Sequence, residues 1–249
     1  MKPFQIILLV IASATGLGGC ATEATHNDEV PIDQSKLGVS LLYAEKEADN
    51  SPENSIRMYV NSEFLRIDDL SAPDDFILFD RKKRTIFNVI GAEKSVSVIS
   101  PLPVTAVPPL PIAYTEQKQE SAAVTRGAEN TKGYYYKFFA NGAPCYNVVA
   151  AENYLPDVVQ AFTEFRTVLA GEHATALGNL PPDRLNACDL ALNIFYPVRH
   201  LQFGFPVREW DDKGYSKFLR DVQINVMIEP AMLTIPASYA RYPFGVKPH

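Results

Sequence analysis

The side chains that most often carry out chemistry in proteins are few in this chain and unfavourably spaced. The four histidines are His26, His173, His200 and His249. No two of them stand at the spacing that metal ligands use, and Glu172 precedes His173 without the second histidine of a zinc-binding helix. Ser216 follows Gly214, but Phe218 occupies the place where a nucleophile elbow requires glycine. The sequence therefore predicts no metal, no cofactor and no enzymatic activity.

Cys20 is the residue whose surroundings predict a definite modification. It closes the quartet Leu17-Gly18-Gly19-Cys20, which follows Lys2 and an apolar run, Phe4 to Ala14, too short for a membrane span. This arrangement resembles the lipobox of bacterial lipoproteins. The resemblance implies a signal peptide over residues 1–19 and acylation of Cys20, including a palmitate-type chain. The alternative is an ordinary export signal that ends near this cysteine.

The residues after Cys20 predict where the protein is held. In the lipoprotein resemblance, Ala21 implies outer-membrane sorting, with the chain facing the periplasm. Residues 20–36 are polar and carry too little apolar surface to pack, so we interpret them as a lipidated N-terminus and flexible tether. The predicted membrane contact is therefore the lipid anchor at the N-terminus.

Composition restricts the domain organisation and the partners. Hydrophobic residues make up 47% of the chain, enough for a substantial core, and we expect one periplasmic α+β domain over residues 37–249. The formal net charge is −6, and no basic stripe interleaved with aromatic residues is present. Nucleic acid is therefore not an expected partner.

Two cysteines remain once Cys20 is acylated. In an exported chain Cys145 and Cys188 are expected to form a disulfide, because the compartment outside the cytoplasm is oxidising. The alternative, a reactive thiol, lacks a neighbouring histidine or basic helix end in the sequence.

The pattern of apolar residues predicts strands at both ends of the domain and helices between them. From Gly38 to Ser100, short runs rich in Val, Ile, Phe and Tyr alternate with turn residues, as in an antiparallel meander. The prolines of Pro101 to Pro111 predict an extended crossover. Helices are predicted from Pro156 and from Pro181-Pro182-Asp183, and strands return between Leu201 and Ile228.

Four short segments carry a second resemblance. They are Phe64 to Asp68, Phe76 to Arg81, Gly204 to Val207 and Met232 to Tyr239. Together they are similar to strands of uncharacterised periplasmic proteins related to outer-membrane lipoprotein-sorting factors. The resemblance implies a curved antiparallel β-sheet, or half-barrel, with a helical hairpin packed on its concave face. It also implies an acyl chain as a possible type of ligand.

Two functions from different classes follow. The first is binding of a lipid or other hydrophobic ligand between sheet and helices. The residues predicted to contact this ligand are Phe162, Phe165 and Leu169 of the first helix and Phe76, Leu78 and Val98 of the sheet. The second is a structural or protein-interaction lipoprotein of the cell envelope, which docks an envelope protein through aromatic residues such as Tyr134, Tyr135, Trp210 and Tyr242.

Overall fold

A computed structural model describes residues 36–119, 131–181 and 185–246. The predicted signal peptide, the acylation site at Cys20 and nearly all of the tether lie outside these residues. The described part of the chain contains no helix long and apolar enough to cross a membrane.

The first half of the domain is an antiparallel meander, as its alternation of apolar runs and turns predicts. Its strands β1 to β6 are Leu37–Lys46, Asn54–Val60, Phe64–Asp69, Phe76–Asp80, Thr85–Ile90 and Ser95–Ile99. Each pairs with the next through a short connection. Arg84 and Lys94 adopt left-handed backbone conformations, with φ of 55° and 50°, where the chain turns sharply before β5 and β6.

The second half of the domain extends the same sheet. Its strands β7 to β12 are Tyr114–Gln119, Gly133–Ala140, Ala143–Ala151, Phe205–Trp210, Ser216–Met227 and Ala240–Pro243. Within the described residues the twelve strands form one open, curved sheet in the order β12-β6-β5-β4-β3-β2-β1-β11-β10-β9-β8-β7. The halves join where β1 pairs with β11 from Leu37 opposite Met227 to Lys46 opposite Ser216.

The sheet departs from the predicted antiparallel arrangement at one edge. Ala240–Pro243 pairs with β6 in the parallel sense, and Met232 to Tyr239, which resembled a strand, begins in a 3₁₀ turn, Pro230–Leu233. The prolines at 230 and 236 lack the N–H that a strand ladder requires. The chain therefore leaves β11 without a hairpin and returns beside β6 at the far end of the sheet.

In the described part of the segment between β9 and β10, two α-helices are present. Helix α1 is Pro156–Ala176, with Pro156 in its first turn and Asp157 beside its positive end. Helix α2 is Ala187–Leu190 and continues as a π-helical turn, Ala191–Phe195. The predicted start at Pro181-Pro182-Asp183 falls largely on residues 182–184, which lie outside the described residues. Helix α2 itself is capped by Asn186, whose side chain accepts a hydrogen bond from the N–H of Asp189 at 2.8 Å.

The proline-rich crossover packs against the C-terminal part of α1. Ala106, Leu110 and Ile112 pack on a small core that Leu177 and Leu190 share with the end of α1 and with α2. Gly171 allows the closest approach, since a Cβ there would lie 2.0 Å from the carbonyl oxygen of Leu102. The extended conformation predicted for this segment thus holds α1 in place.

Candidate functional site

A cavity of about 320 Å³ lies between α1 and the sheet. Its apolar wall consists of side chains from β2, β3, β4 and α1: Met58, Leu65, Ile67, Ile77, Phe162, Phe165 and Leu169. At its other end it is lined by charged and polar side chains: Glu45, Arg166, His200, Glu209, Tyr215 and Lys217. The cavity is therefore lined by both apolar and charged side chains.

The three helix residues predicted to contact a ligand all line this cavity. Phe162, Phe165 and Leu169 follow the spacing that keeps side chains on one face of an α-helix. The ring of Phe165 meets that of Phe79 edge-on, with centroids 5.8 Å apart, and Phe162 lies 6.3 Å from Phe205 by the same measure. These aromatic contacts fix α1 on the sheet while leaving the space beside them open.

The three sheet residues predicted to face α1 do not do so, and that part of the prediction is wrong. Phe76 carries the guanidinium of Arg66 over its ring at 3.7 Å. Leu78 pairs across the strands with Phe87, which in turn pairs with Val98. Because side chains alternate along a strand, Ile77 and Phe79 face α1, while Phe76, Leu78 and Val98 face the opposite side of the sheet.

The sequence contained the signal that distinguishes the two faces. Every residue from Phe76 to Phe79 is apolar, so β4 by itself does not reveal its inner face. The neighbouring strand does, since Leu65 and Ile67 alternate with Arg66 and Asp68. Arg66 stands opposite Leu78 and Asp68 opposite Phe76, which places both on the face away from α1.

Glu209 is the centre of the polar end of the cavity. Its side chain is 1% exposed, its Oε2 lies 2.7 Å from Lys217 Nζ, and its Oε1 accepts a hydrogen bond from the Tyr146 hydroxyl at 2.8 Å. Oε1 also lies 3.5 Å from His200 Nε2 and 3.8 Å from Arg166 Nη2. One buried carboxylate is therefore surrounded by two cations, a phenol and an imidazole.

These contacts determine which of the groups are charged. Burial alone would raise the pKa of Glu209, but Lys217 and Arg166 outweigh it and lower that pKa to about 2. Burial alone would lower the pKa of Lys217, but Glu209 raises it above its usual value. Near neutral pH, Glu209 and Lys217 are therefore an ion pair inside the protein.

His200 is neutral in this environment. Burial first, and then the nearby charges of Arg166 and Lys217, lower its pKa to about 3 against the opposing effect of Glu209. The side chain is 1% exposed, and within the described residues neither ring nitrogen has a hydrogen-bond partner. His200 is thus a buried imidazole with unused hydrogen-bonding capacity beside the cavity.

The sequence-based reasoning did not identify Glu209, Lys217, Arg166 or His200 as residues of the site. The alternation of the strands gave part of the signal. Phe205, Val207 and Glu209 alternate along β10, so all three face inward. Lys217 and Leu219 likewise share one face of β11. Glu209 and Lys217 also stand opposite each other in the β10–β11 hairpin. Arg166 and His200 join them only through the docking of α1 and of the 3₁₀ turn Arg199–Phe203.

Two larger cavities lie outside this cluster. One of about 520 Å³ lies near the start of α1, with Arg81 and Asp157 in its wall. Another of about 560 Å³ lies beside Glu152 and Gln160.

In the described residues, no three His, Cys, Asp or Glu side chains come together as metal ligands do. The 320 Å³ cavity is the candidate site because it combines an extended apolar wall with the buried ion pair.

The predicted disulfide is confirmed. Cys145 of β9 and Cys188 of α2 are bonded, with their Cα atoms 5.4 Å apart across 43 positions of sequence. The bond ties α2 to the sheet.

Comparison with known proteins gives no assignment. The sequence matches no protein family and no curated protein. Among solved structures, the chain is similar to one described as PNGF-II in the C2 space group, with a TM-score of 0.42 and 8% identity. The likeness covers 84% of this chain but 31% of that chain, so this chain spans about a third of its length. The resemblance to lipoprotein-sorting factors stays a prediction.

Proposed function

We propose that this protein is an outer-membrane-anchored, periplasm-facing lipoprotein, without enzymatic activity, that binds a lipid or other hydrophobic ligand between its sheet and α1. The anchor in this proposal is the acylated Cys20, because acyl chains contribute about 0.8 kcal/mol per buried methylene and hold a protein at a membrane. The observation that carries the ligand proposal is the cavity of about 320 Å³, which has an apolar wall along α1.

The proposal assigns the two helices to the concave side of the sheet as a hairpin. It is supported by the contact between them, since His173 Nδ1 lies 3.3 Å from the carbonyl oxygen of Asn193 and Leu177 shares a core with Leu190 and Ile194. In this arrangement α1 covers the cavity.

The volume of the cavity limits the ligand. Small-molecule sites commonly measure about 300–1,000 Å³, so about 320 Å³ is at the lower end of that range. At roughly 30 Å³ for each water-sized volume, the space accepts on the order of ten non-hydrogen atoms. One short hydrocarbon chain fits within this space.

Replacing Phe165 tests the proposal. Phe165 is partly buried and lines the cavity, so Phe165→Glu places a charge where the ligand chain would lie while leaving it access to water. We expect the protein to remain folded and to lose binding of a fluorescent fatty-acid analogue. Phe244→Glu is the matched control, because Phe244 is 48% exposed and outside the cavity.

Two results would count against ligand binding. The first is an unmodified protein that does not bind the fluorescent analogue. The second is unfolding of the Phe165→Glu protein, because an uncompensated charge in a solid core costs several kcal/mol whereas a charge in an open site does not.

The alternative, an envelope protein without a small ligand, is favoured by one observation at the free edge of the sheet. Tyr114 of β7 stacks on Tyr196 with ring centroids 5.4 Å apart, and Tyr196 is 41% exposed. Exposed aromatic rings are common where proteins dock. Substituting Tyr196→Ala should weaken capture of an envelope partner in crosslinking of intact cells if this function is correct.

A further inference from the structure

The charged side chains at the polar end of the cavity indicate which head group a ligand would carry, because some of them already neutralise each other and one does not. Glu209 is 1% exposed and holds Lys217 Nζ at 2.7 Å, so these two charges compensate each other. Tyr146 donates a further hydrogen bond to the same carboxylate at 2.8 Å. An incoming group therefore meets a carboxylate whose charge Lys217 already compensates.

Arg166 is held differently. Its Nη2 lies 3.8 Å from Glu209 Oε1, which is beyond hydrogen-bond distance, and 28% of its side chain is exposed. The guanidinium hydrogen-bonds the side chain of Tyr146, and its remaining N–H donors are left for another partner. On α1 it follows Phe162 by one helical turn and precedes Leu169 by another, so all three share the face that lines the cavity. A guanidinium that lines a cavity and keeps further N–H donors is suited to binding a carboxylate with two parallel hydrogen bonds.

Glu45 is the charge that opposes an anion here. It lines the same end of the cavity and stands across the strands from Lys217. Burial raises the pKa of the Glu45 carboxyl, which makes it easier to neutralise than an exposed glutamate. The repulsion that it exerts on a bound anion is correspondingly reduced.

We propose that the ligand is a short-chain monoacyl carboxylate, with its hydrocarbon along Phe162, Phe165 and Leu169 and its carboxylate bound by Arg166. This inference rests on the proposed function and adds the chemistry of the head group. A chain about as long as that of octanoate matches the volume of the cavity.

Titration calorimetry with three ligands of one chain length tests the head group. The ligands are octanoate, octanol and octylammonium, and the protein is the exported full chain carrying Cys20→Ser, so that no acyl chain of its own competes. We expect octanoate to bind about tenfold or more tightly than octanol, the range expected for hydrogen bonds to a charged group. Octylammonium should bind most weakly, because Arg166 repels it, Glu209 is already paired with Lys217, and burial raises the pKa of Glu45.

Variants of Arg166 assign the preference to this residue. Arg166→Gln should reduce the ratio of octanoate to octanol affinity to about threefold or less, and Arg166→Lys should give an intermediate ratio, because lysine keeps the charge but loses the planar fork. Arg220→Gln is the matched control, since Arg220 lies on β11 outside the cavity and pairs with Glu53 at 3.2 Å at the surface.

The outcomes separate this inference from the proposed function. If octanol binds as tightly as octanoate, the head-group inference is wrong and amphiphile binding stands. If none of the three ligands binds, the proposed function itself fails. If Arg166→Gln does not fold, the comparison of ligands on the unsubstituted cavity still decides the question.

Discussion

Replacing His200 should remove a large part of the acid sensitivity of this protein. His200 is 1% exposed, and its pKa in the folded protein is lowered to about 3, whereas an unfolded chain titrates its histidines near 6.5. Between these two values the unfolded state binds a proton that the folded state does not. The free energy of unfolding therefore falls as the pH falls through this window.

The size of the effect follows from the width of the window. Each pH unit below about 6.5 costs about 1.4 kcal/mol, so His200 should lower the stability by about 2 kcal/mol between about pH 7.5 and about pH 5.0. Glu209 adds little over this range, because its folded pKa is lowered to about 2 and its stabilising effect is lost only as the unfolded carboxyl protonates near 4.5. Glu45 acts with the opposite sign, since its pKa is raised in the folded protein.

Urea unfolding at the two pH values measures this contribution. His200→Gln places a side chain that does not titrate at the same position, and we expect its loss of stability on acidification to be smaller than that of the unsubstituted protein by about 2 kcal/mol. Glu45 is present in both proteins, so its effect cancels in the comparison. His173→Gln, at a partly exposed position of α1, is the matched control. Equal pH dependence of the His200→Gln and unsubstituted proteins would refute the account of a neutral, buried imidazole.

Three further predictions concern the anchor, the disulfide and the crossover. Mass analysis of the membrane-bound protein should find an acylated N-terminal Cys20, and an unmodified cysteine would contradict the lipobox prediction. Reducing the Cys145–Cys188 bond, which closes 43 positions, should lower the free energy of unfolding by about 4 kcal/mol in urea titration, and no change would refute its stabilising role. Gly171→Ala should destabilise by about 1–3 kcal/mol despite the higher helix propensity of alanine, because its Cβ would meet Leu102. Gly178→Ala, with nothing within 4 Å of its Cβ, should be neutral or stabilising when both variants are unfolded in urea, and equal effects would contradict the close packing.

The elements that could be predicted from the sequence are those with a strong local pattern. The meander of β1 to β6 alternates apolar and polar residues between turns, and α1 has proline in its first turn and an apolar stripe. The disulfide could be predicted because only Cys145 and Cys188 remain after Cys20 is assigned to the anchor. Each of these predictions depends on residues close in sequence or on a simple count.

The missed features depend on how distant elements meet. The parallel pairing of β12 with β6 requires the chain after β11 to cross to the other end of the sheet, and no local pattern marks that path. The inner face of β4 was ambiguous because Phe76 to Phe79 are all apolar, and only the alternation in β3 distinguishes the faces.

In the candidate site, too, some features could be predicted from the sequence and others could not. Its apolar wall on α1 was predictable from the spacing of Phe162, Phe165 and Leu169. Its polar end was predictable only in part. The turn between β10 and β11 places Glu209 opposite Lys217, and this pairing could be predicted from the hairpin. Arg166 reaches the pair only through the docking of α1, which the sequence does not indicate. Buried charges of this kind are found by pairing strands and helices, not by hydropathy.

The central claim is that an amphiphile occupies the cavity between α1 and the sheet. Nuclear Overhauser contacts between the methylene protons of octanoate and the phenylalanine rings, assigned in the exported full chain carrying Cys20→Ser, test this claim most directly. The account predicts contacts to the rings of Phe162 and Phe165, which line the cavity. Contacts to the exposed ring of Phe244 alone, or contacts to no phenylalanine ring, would contradict it.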